Sequence, residues 1–117
     1  MGFVQKSTIE RKDRKEAERI MNKYPDRIPI IVTKNNFSKM TPDIDKCKFM
    51  VPEDLTFGQF MYVIRKRIQL SPDKALFLFV DGATVCSSEL VSTVYYRSHD
   101  PEDGFLYCIY SCENTFG

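Results

Sequence analysis

The sequence contains no apolar run long enough to cross a bilayer. The longest near its C-terminal end, Phe105 to Tyr110, covers six residues, where about 20 are needed. No basic start leads into an apolar stretch, so nothing reads as a signal peptide. Met1-Gly2 opens like an acylation site, but Lys6 stands where N-myristoylation requires Ser or Thr. Histidine is scarce as well. The lone His99 and four scattered cysteines (Cys47, Cys86, Cys108 and Cys112) give no metal-ligand spacing and no Cys-x-x-Cys pair. No metal or cofactor is expected, and reduced thiols are the default for a chain without a targeting segment. A Cys/His catalytic pair lacks motif context, and no nucleophile, base and anion-binding group fall into one pattern. An enzyme is therefore not expected. Repeats and low-complexity segments are also missing.

What is present suits one compact domain. The 117 residues leave no room for a second core, and nine Phe with six Tyr supply a large apolar payload. The net charge of +1 is unevenly spread. Residues 1–75 carry sixteen basic and ten acidic side chains, whereas residues 76–117 carry one and six. That polarity predicts a basic face for acidic partners or a merely solvated surface. Acids interleaved with the bases argue against a nucleic-acid binder.

Ser7-Thr8-Ile9-Glu10 reads as a capping box. Behind it Ala17, Ile20, Met21 and Tyr24 recur at helical spacing, and Pro25 stops the helix. Ile28 to Lys34 predicts a strand, Asn35 to Lys46 a loop, and Lys48 to Val51 a second strand closed by Pro52. Thr56-Phe57-Gly58-Gln59 is another capping box, opening a helix to about Ile68. Its stripe is Phe57, Met61, Ile64 and Ile68, with Phe60 and Val63 on a flank beyond it. That arc is wider than one core contact needs, which means either deep burial or a ligand-facing edge. Leu76 to Val80 predicts a strand buried on both faces, Asp81-Gly82 a turn, Ser88 to Tyr96 a short helix and Phe105 to Tyr110 the last strand. Ser111 to Gly117 reads as a mobile tail. This order predicts an α+β sheet with helices on one face.

Several stretches resemble the autophagy-related protein eight family of ubiquitin-like modifiers, whose relatives include the microtubule-associated light chains and the GABA-receptor-associated protein. They are Lys23-Tyr24-Pro25-Asp26-Arg27-Ile28-Pro29, Asp45 to Pro52, Thr56 to Phe60, Ile64-Arg65-Lys66-Arg67-Ile68, Ala75 to Val80 and Asp103 to Tyr110. The likeness runs from about Phe3 to Gly117, in order and at nearly the family's spacing. It implies a ubiquitin-like β-grasp with a four-stranded mixed sheet and two additional N-terminal helices. Residues 1–27 would form the helical extension, 28–110 the core and 111–117 a flexible tail ending in the conjugation glycine.

The resemblance also implies a function. Gly117 would be joined to phosphatidylethanolamine on autophagosomal membranes after handling by activating and conjugating enzymes and a processing cysteine protease. A terminal glycine threads a narrow active site because it lacks a Cβ, and two acyl chains anchor stably where one does not. The lipid-bound protein, cytoplasmic otherwise, would recruit receptors and assembly factors that carry an aromatic-x-x-aliphatic peptide, captured as an added strand on Lys48–Val51. By the same resemblance Glu16, Ile20, Pro29, Ile31, Lys48, Met50 and Phe105 line a first pocket for the aromatic. Phe49, Val51, Pro52, Leu55, Phe60 and Val63 line a second for the aliphatic, and Lys46, Lys48 and Arg67 form an electrostatic rim. The alternatives are conjugation to a protein lysine and an unconjugated trafficking or microtubule adaptor. The basic helix (Arg11, Lys12, Arg14, Lys15, Arg19) stays open between solvated surface, tubulin and anionic lipid. Three departures from the family bear on selectivity: Cys47 would lower the charge beside the groove, Gly104 would loosen the first pocket's wall beside Phe105, and Met50 would keep that pocket apolar but more adaptable.

Overall fold

A computed structural model of the chain describes residues 14–36 and 41–114. The capping box at Ser7, the first of the two expected N-terminal helices and Gly117 lie outside the described residues. Helix α1 (Arg14–Lys23) enters strand β1 (Arg27–Lys34) across the Pro25 turn. Then come β2 (Lys48–Pro52), α2 (Phe57–Arg67), β3 (Lys74–Val80), β4 (Ala83–Thr84), α3 (Val91–Ser98) and β5 (Leu106–Asn114).

The strands form one mixed sheet in the order β2-β1-β5-β3-β4, with β1 parallel to β5 and the other pairings antiparallel. The sheet has five strands rather than the four expected. The additional one is β4, a two-residue strand paired only with Phe79 and Val80, too short to show a period. Asp81 and Gly82, both at positive φ, make the tight turn before it.

Side-chain alternation sorts the sheet into two faces. Ile28, Ile30, Val32, Phe49, Val51, Leu76, Leu78, Val80, Leu106, Cys108 and Tyr110 point to the main core under α2 and α3. Ile31 and Phe105 point the other way and form a smaller cluster with Ala17 of α1, against which Ile20 packs. The expectation that β3 is buried on both faces is corrected here: Phe77 and Phe79 stay half-exposed, because α1 covers the opposite face only near β1 and β5.

Helix α2 starts as expected. The Gln59 amide donates to Thr56 Oγ1 at 3.1 Å and the Thr56 amide donates to Gln59 Oε1 at 2.9 Å. Its expected stripe holds, with Phe57, Ile64 and Ile68 buried and Met61 packed against the same core, but Phe60 belongs to that core rather than to a flank. At roughly 100° per residue, Ile64 projects between Phe57 and Phe60, so the three share one arc, and Val63 falls about 60° beyond Phe60. Helix α3 begins at Val91 rather than Ser88, because Leu90 is extended and bridges Thr56. Strand β5 continues past Tyr110 to Asn114, since Ser111 to Asn114 pair with Lys74 to Phe77 of β3. The chain beyond the ladder therefore starts after residue 114, not at 111.

Candidate functional site

Strand β2 is one margin of the sheet. It pairs with β1 through Ile28↔Val51, Pro29↔Met50, Ile30↔Phe49 and Ile31↔Lys48, and with no other strand among the described residues. Alternation then splits the predicted pocket residues between the two faces of this margin. Lys48 and Met50 share one face with Pro29 and Ile31, whereas Phe49 and Val51 turn to the other, toward α2.

On the α1 face, Ile31 and Phe105 are 2% exposed and form a floor, with Ile20 packed on them. Met50, 44% exposed, stands at the rim. Lys48 Nζ donates to Glu16 Oε1 at 2.6 Å, linking β2 to α1 above that floor. The Lys48 side chain is 46% exposed, so this pair contributes about 1 kcal/mol at most and opens cheaply. Tightness on this side comes from Gly104. Its φ of +78° excludes most side chains, and a Cβ there would stand 3.2 Å from the Ala17 Cβ. Gly104 thus permits α1 to approach the core closely; it does not loosen the pocket wall. Tyr95 secures the same junction: its hydroxyl donates to the Gly104 carbonyl at 2.6 Å and lies 3.4 Å from Met21 Sδ. Beneath Phe105, the buried Asp103 carboxylate accepts from the Phe105 amide at 3.0 Å and from the Tyr107 hydroxyl.

On the α2 face, Phe49 and Phe60 meet edge to face with centroids 5.8 Å apart. Phe60 is fully buried, so it supports the floor rather than lining a wall, while Leu55 and Pro52 are half-buried and Val63 is 38% exposed. Leu55 and Val63 border a shallow depression of about 570 Å³ that runs on to Thr56, Gly58, Gln59, Tyr62 and Ser87. Sequence reasoning missed this extension. The exposed Tyr62, outside the helix stripe, was its only signal. Two of the rim cations lie over the Phe49 ring. Lys46 Nζ is 5.2 Å and the Arg67 guanidinium 5.9 Å from the Phe49 ring centroid, and Arg67 Nε donates to Asp45 at 3.0 Å.

The arrangement therefore brings the two predicted residue sets to one open edge, on opposite faces, with cations at both mouths. A strand added there places residues i and i+3 on opposite faces, because an odd separation reverses side-chain direction. The cysteines stand apart from it. Cys47 and Cys86 are exposed and Cys108 and Cys112 buried. Hydrogen bonding to Ser88 lowers the Cys86 thiol, while burial raises that of Cys108 well above the ordinary range. No helix among the described residues is long and apolar enough to cross a membrane.

A mixed sheet that clasps a helix across its face, with a parallel central pair and a further helix on the reverse, is the ubiquitin-like β-grasp with a helical extension. The family model described as autophagy protein Atg8, ubiquitin like, matches residues 11–117, and the chain belongs to that family. It is 57% identical over 106 residues to autophagy-related protein 8 of Mycosarcoma maydis, covering 91% of this chain and 88% of that one. Against autophagy-related protein 8e of Arabidopsis thaliana the identity is 59% over 106 residues, with 91% and 85% covered. The crystal structure of Trypanosoma brucei ATG8 superposes with a TM-score of 0.80 at 43% identity, covering 89% and 88%.

Proposed function

We propose that the chain is a lipid-conjugated adaptor of autophagy, which captures short aromatic-x-x-aliphatic peptides as an added strand on β2 while Gly117 is joined to phosphatidylethanolamine. The observation that carries this reading is the open margin of β2 with an apolar cluster on each of its two faces. Family membership supports the autophagy role and the conjugation by which such a chain is carried. The aromatic would enter over Ile20, Ile31 and Phe105, and the aliphatic over Phe49, Val51 and Leu55. Acidic residues of the peptide would draw Lys46, Lys48 and Arg67 away from their present partners.

Magnitudes describe a weak, reversible adaptor. Two buried apolar side chains contribute roughly 2–3 kcal/mol each and added backbone bonds about 1 kcal/mol apiece. Ordering a flexible peptide cancels much of that, which leaves a Kd near the micromolar range, on the order of −8 kcal/mol. Clustering on a membrane then raises avidity.

Calorimetry with a synthetic aromatic-x-x-aliphatic peptide tests the groove. Lys48→Ala and Val63→Asp change exposed side chains on the two faces, and each should weaken binding about ten-fold, the equivalent of 1.4 kcal/mol. Undiminished binding by both folded variants would remove the groove from consideration. Conjugation is tested separately, by mass analysis for a lipid adduct at Gly117 after incubation with the activating and conjugating enzymes.

A further inference from the structure

The end of β5 sets how the body stands once it is anchored. Strand β1 stops at Lys34, level with Tyr110, but β5 runs on to Asn114 beside β3. Those four further residues span about 13 Å at 3.3 Å per residue, so β3 and β5 run on past the end of β1, with Thr41 of the β1–β2 connection accepting from the Cys112 amide at 3.1 Å. Opposite Asn114 is Lys74, at the end of the α2–β3 connection. That connection is braced: Arg65 donates to the carbonyls of Ser71 and Lys74 at 3.0 and 2.5 Å, and Ser71 Oγ donates to Asp73 at 2.6 Å. Gln69, Ser71, Pro72 and Asp73 are exposed on it.

Only Thr115 and Phe116 separate the ladder from Gly117, three steps of chain that reach about 10 Å at 3.3–3.6 Å per residue. Resting on the lipid-conjugation reading above, we propose that the Gln69–Lys74 connection is the membrane-facing foot of the protein, set against phospholipid headgroups, so that the sheet stands end-on. The braced loop turns the exposed Gln69, Ser71, Pro72 and Asp73 toward phosphate and amine headgroups, with Lys74 half-buried behind them.

The same register places the groove well away from the membrane. Lys48 lies opposite Ile31, which lies opposite Tyr107, seven residues before Asn114. That is about 23 Å along the strand, and Met50 and Pro52 lie farther still. The β2 margin is thus open to partners while the chain is anchored.

The native chain has no tryptophan, so a single introduced one reports its own position. Pro72→Trp marks the foot and Asp54→Trp the opposite end of the sheet. Each would be made in a Cys47→Ser, Cys86→Ser background with Gly117→Cys. Coupling to maleimide-bearing phosphatidylethanolamine in phosphatidylcholine vesicles then anchors the chain without its enzymes. With headgroup spin-labelled lipid present, the Pro72→Trp chain should be quenched about two-fold or more above the Asp54→Trp chain, the positions differing by over roughly 20 Å along the strands. Uncoupled chains should show no quenching. Equal or reversed quenching overturns the end-on placement. Failure of the enzymes to form an adduct at Gly117 overturns the conjugation reading instead, whatever the chemically coupled chains show.

Discussion

Tyr110 illustrates how much one side chain settles. Its ring is wholly buried and its hydroxyl donates to the Pro42 carbonyl at 2.7 Å, pinning the β1–β2 connection to the middle of β5. Burial first, then the charge of Asp43, pushes its ionisation up to about 12. The folded state therefore holds this proton more tightly than the unfolded chain, whose phenol titrates near 10. The stabilising contribution is complete below about pH 10 and is lost as pH climbs toward about 12. Tyr110→Phe should cost about 1 kcal/mol at neutral pH in urea unfolding and flatten the alkaline fall of Tm. The cysteines divide by environment in the same way. Maleimide should modify Cys47 and Cys86 in the native protein and reach Cys108 and Cys112 only in denaturant, as peptide mass mapping will reveal. Labelling of Cys108 at the rate of Cys86 would contradict its burial. Cys108 and Cys112 cannot join in a disulfide within β5, since four residues of strand separate their Cα atoms by about 13 Å.

Among the elements, α1 is seated most closely where Ala17 meets Gly104. It carries Glu16 and Ile20 to the groove, and it comes close only because Gly104 has no side chain facing Ala17. Gly104→Ala adds a left-handed backbone penalty and a crowded methyl, together about 1–2 kcal/mol. Hydrogen exchange should quicken in α1 more than in β5, and peptide affinity should fall with it. Equal protection in both elements would mean that α1 docks independently of Gly104. Local signals predicted the elements that carry local chemistry. The Thr56–Gln59 box and the Pro25 stop were legible because a cap or a ring acts within a few residues. The start of α3, the strand β4 and the end of β5 were not, because Leu90 is held by Thr56, Thr84 by Phe79 and Ser111 by Phe77. Each of those partners is remote or visible only once the sheet has assembled.

For the molecule as a whole, peptide spacing becomes a geometric requirement. Under the proposed strand addition, anchors meant for opposite faces of one margin must lie an odd number of residues apart, so aromatic-x-x-aliphatic would fit and aromatic-x-aliphatic would not. Removing one central residue from the test peptide should weaken binding about ten-fold or more, by stranding one anchor of roughly 2 kcal/mol. Equal affinity for both peptides would show that the ligand is not held as a strand. From the order of residues alone came the helical and strand periods, the caps, the breakers and the chain of motifs that marks the family, all carried by neighbours in sequence. Only the assembled fold decided that Phe60 belongs to the core and that β2 is left at a margin with the proposed pocket residues parted between two faces. It also decided that the last strand carries the chain to within three residues of Gly117. Those outcomes depend on which strands lie side by side and in what register, and pairing between segments tens of residues apart leaves no local period to read.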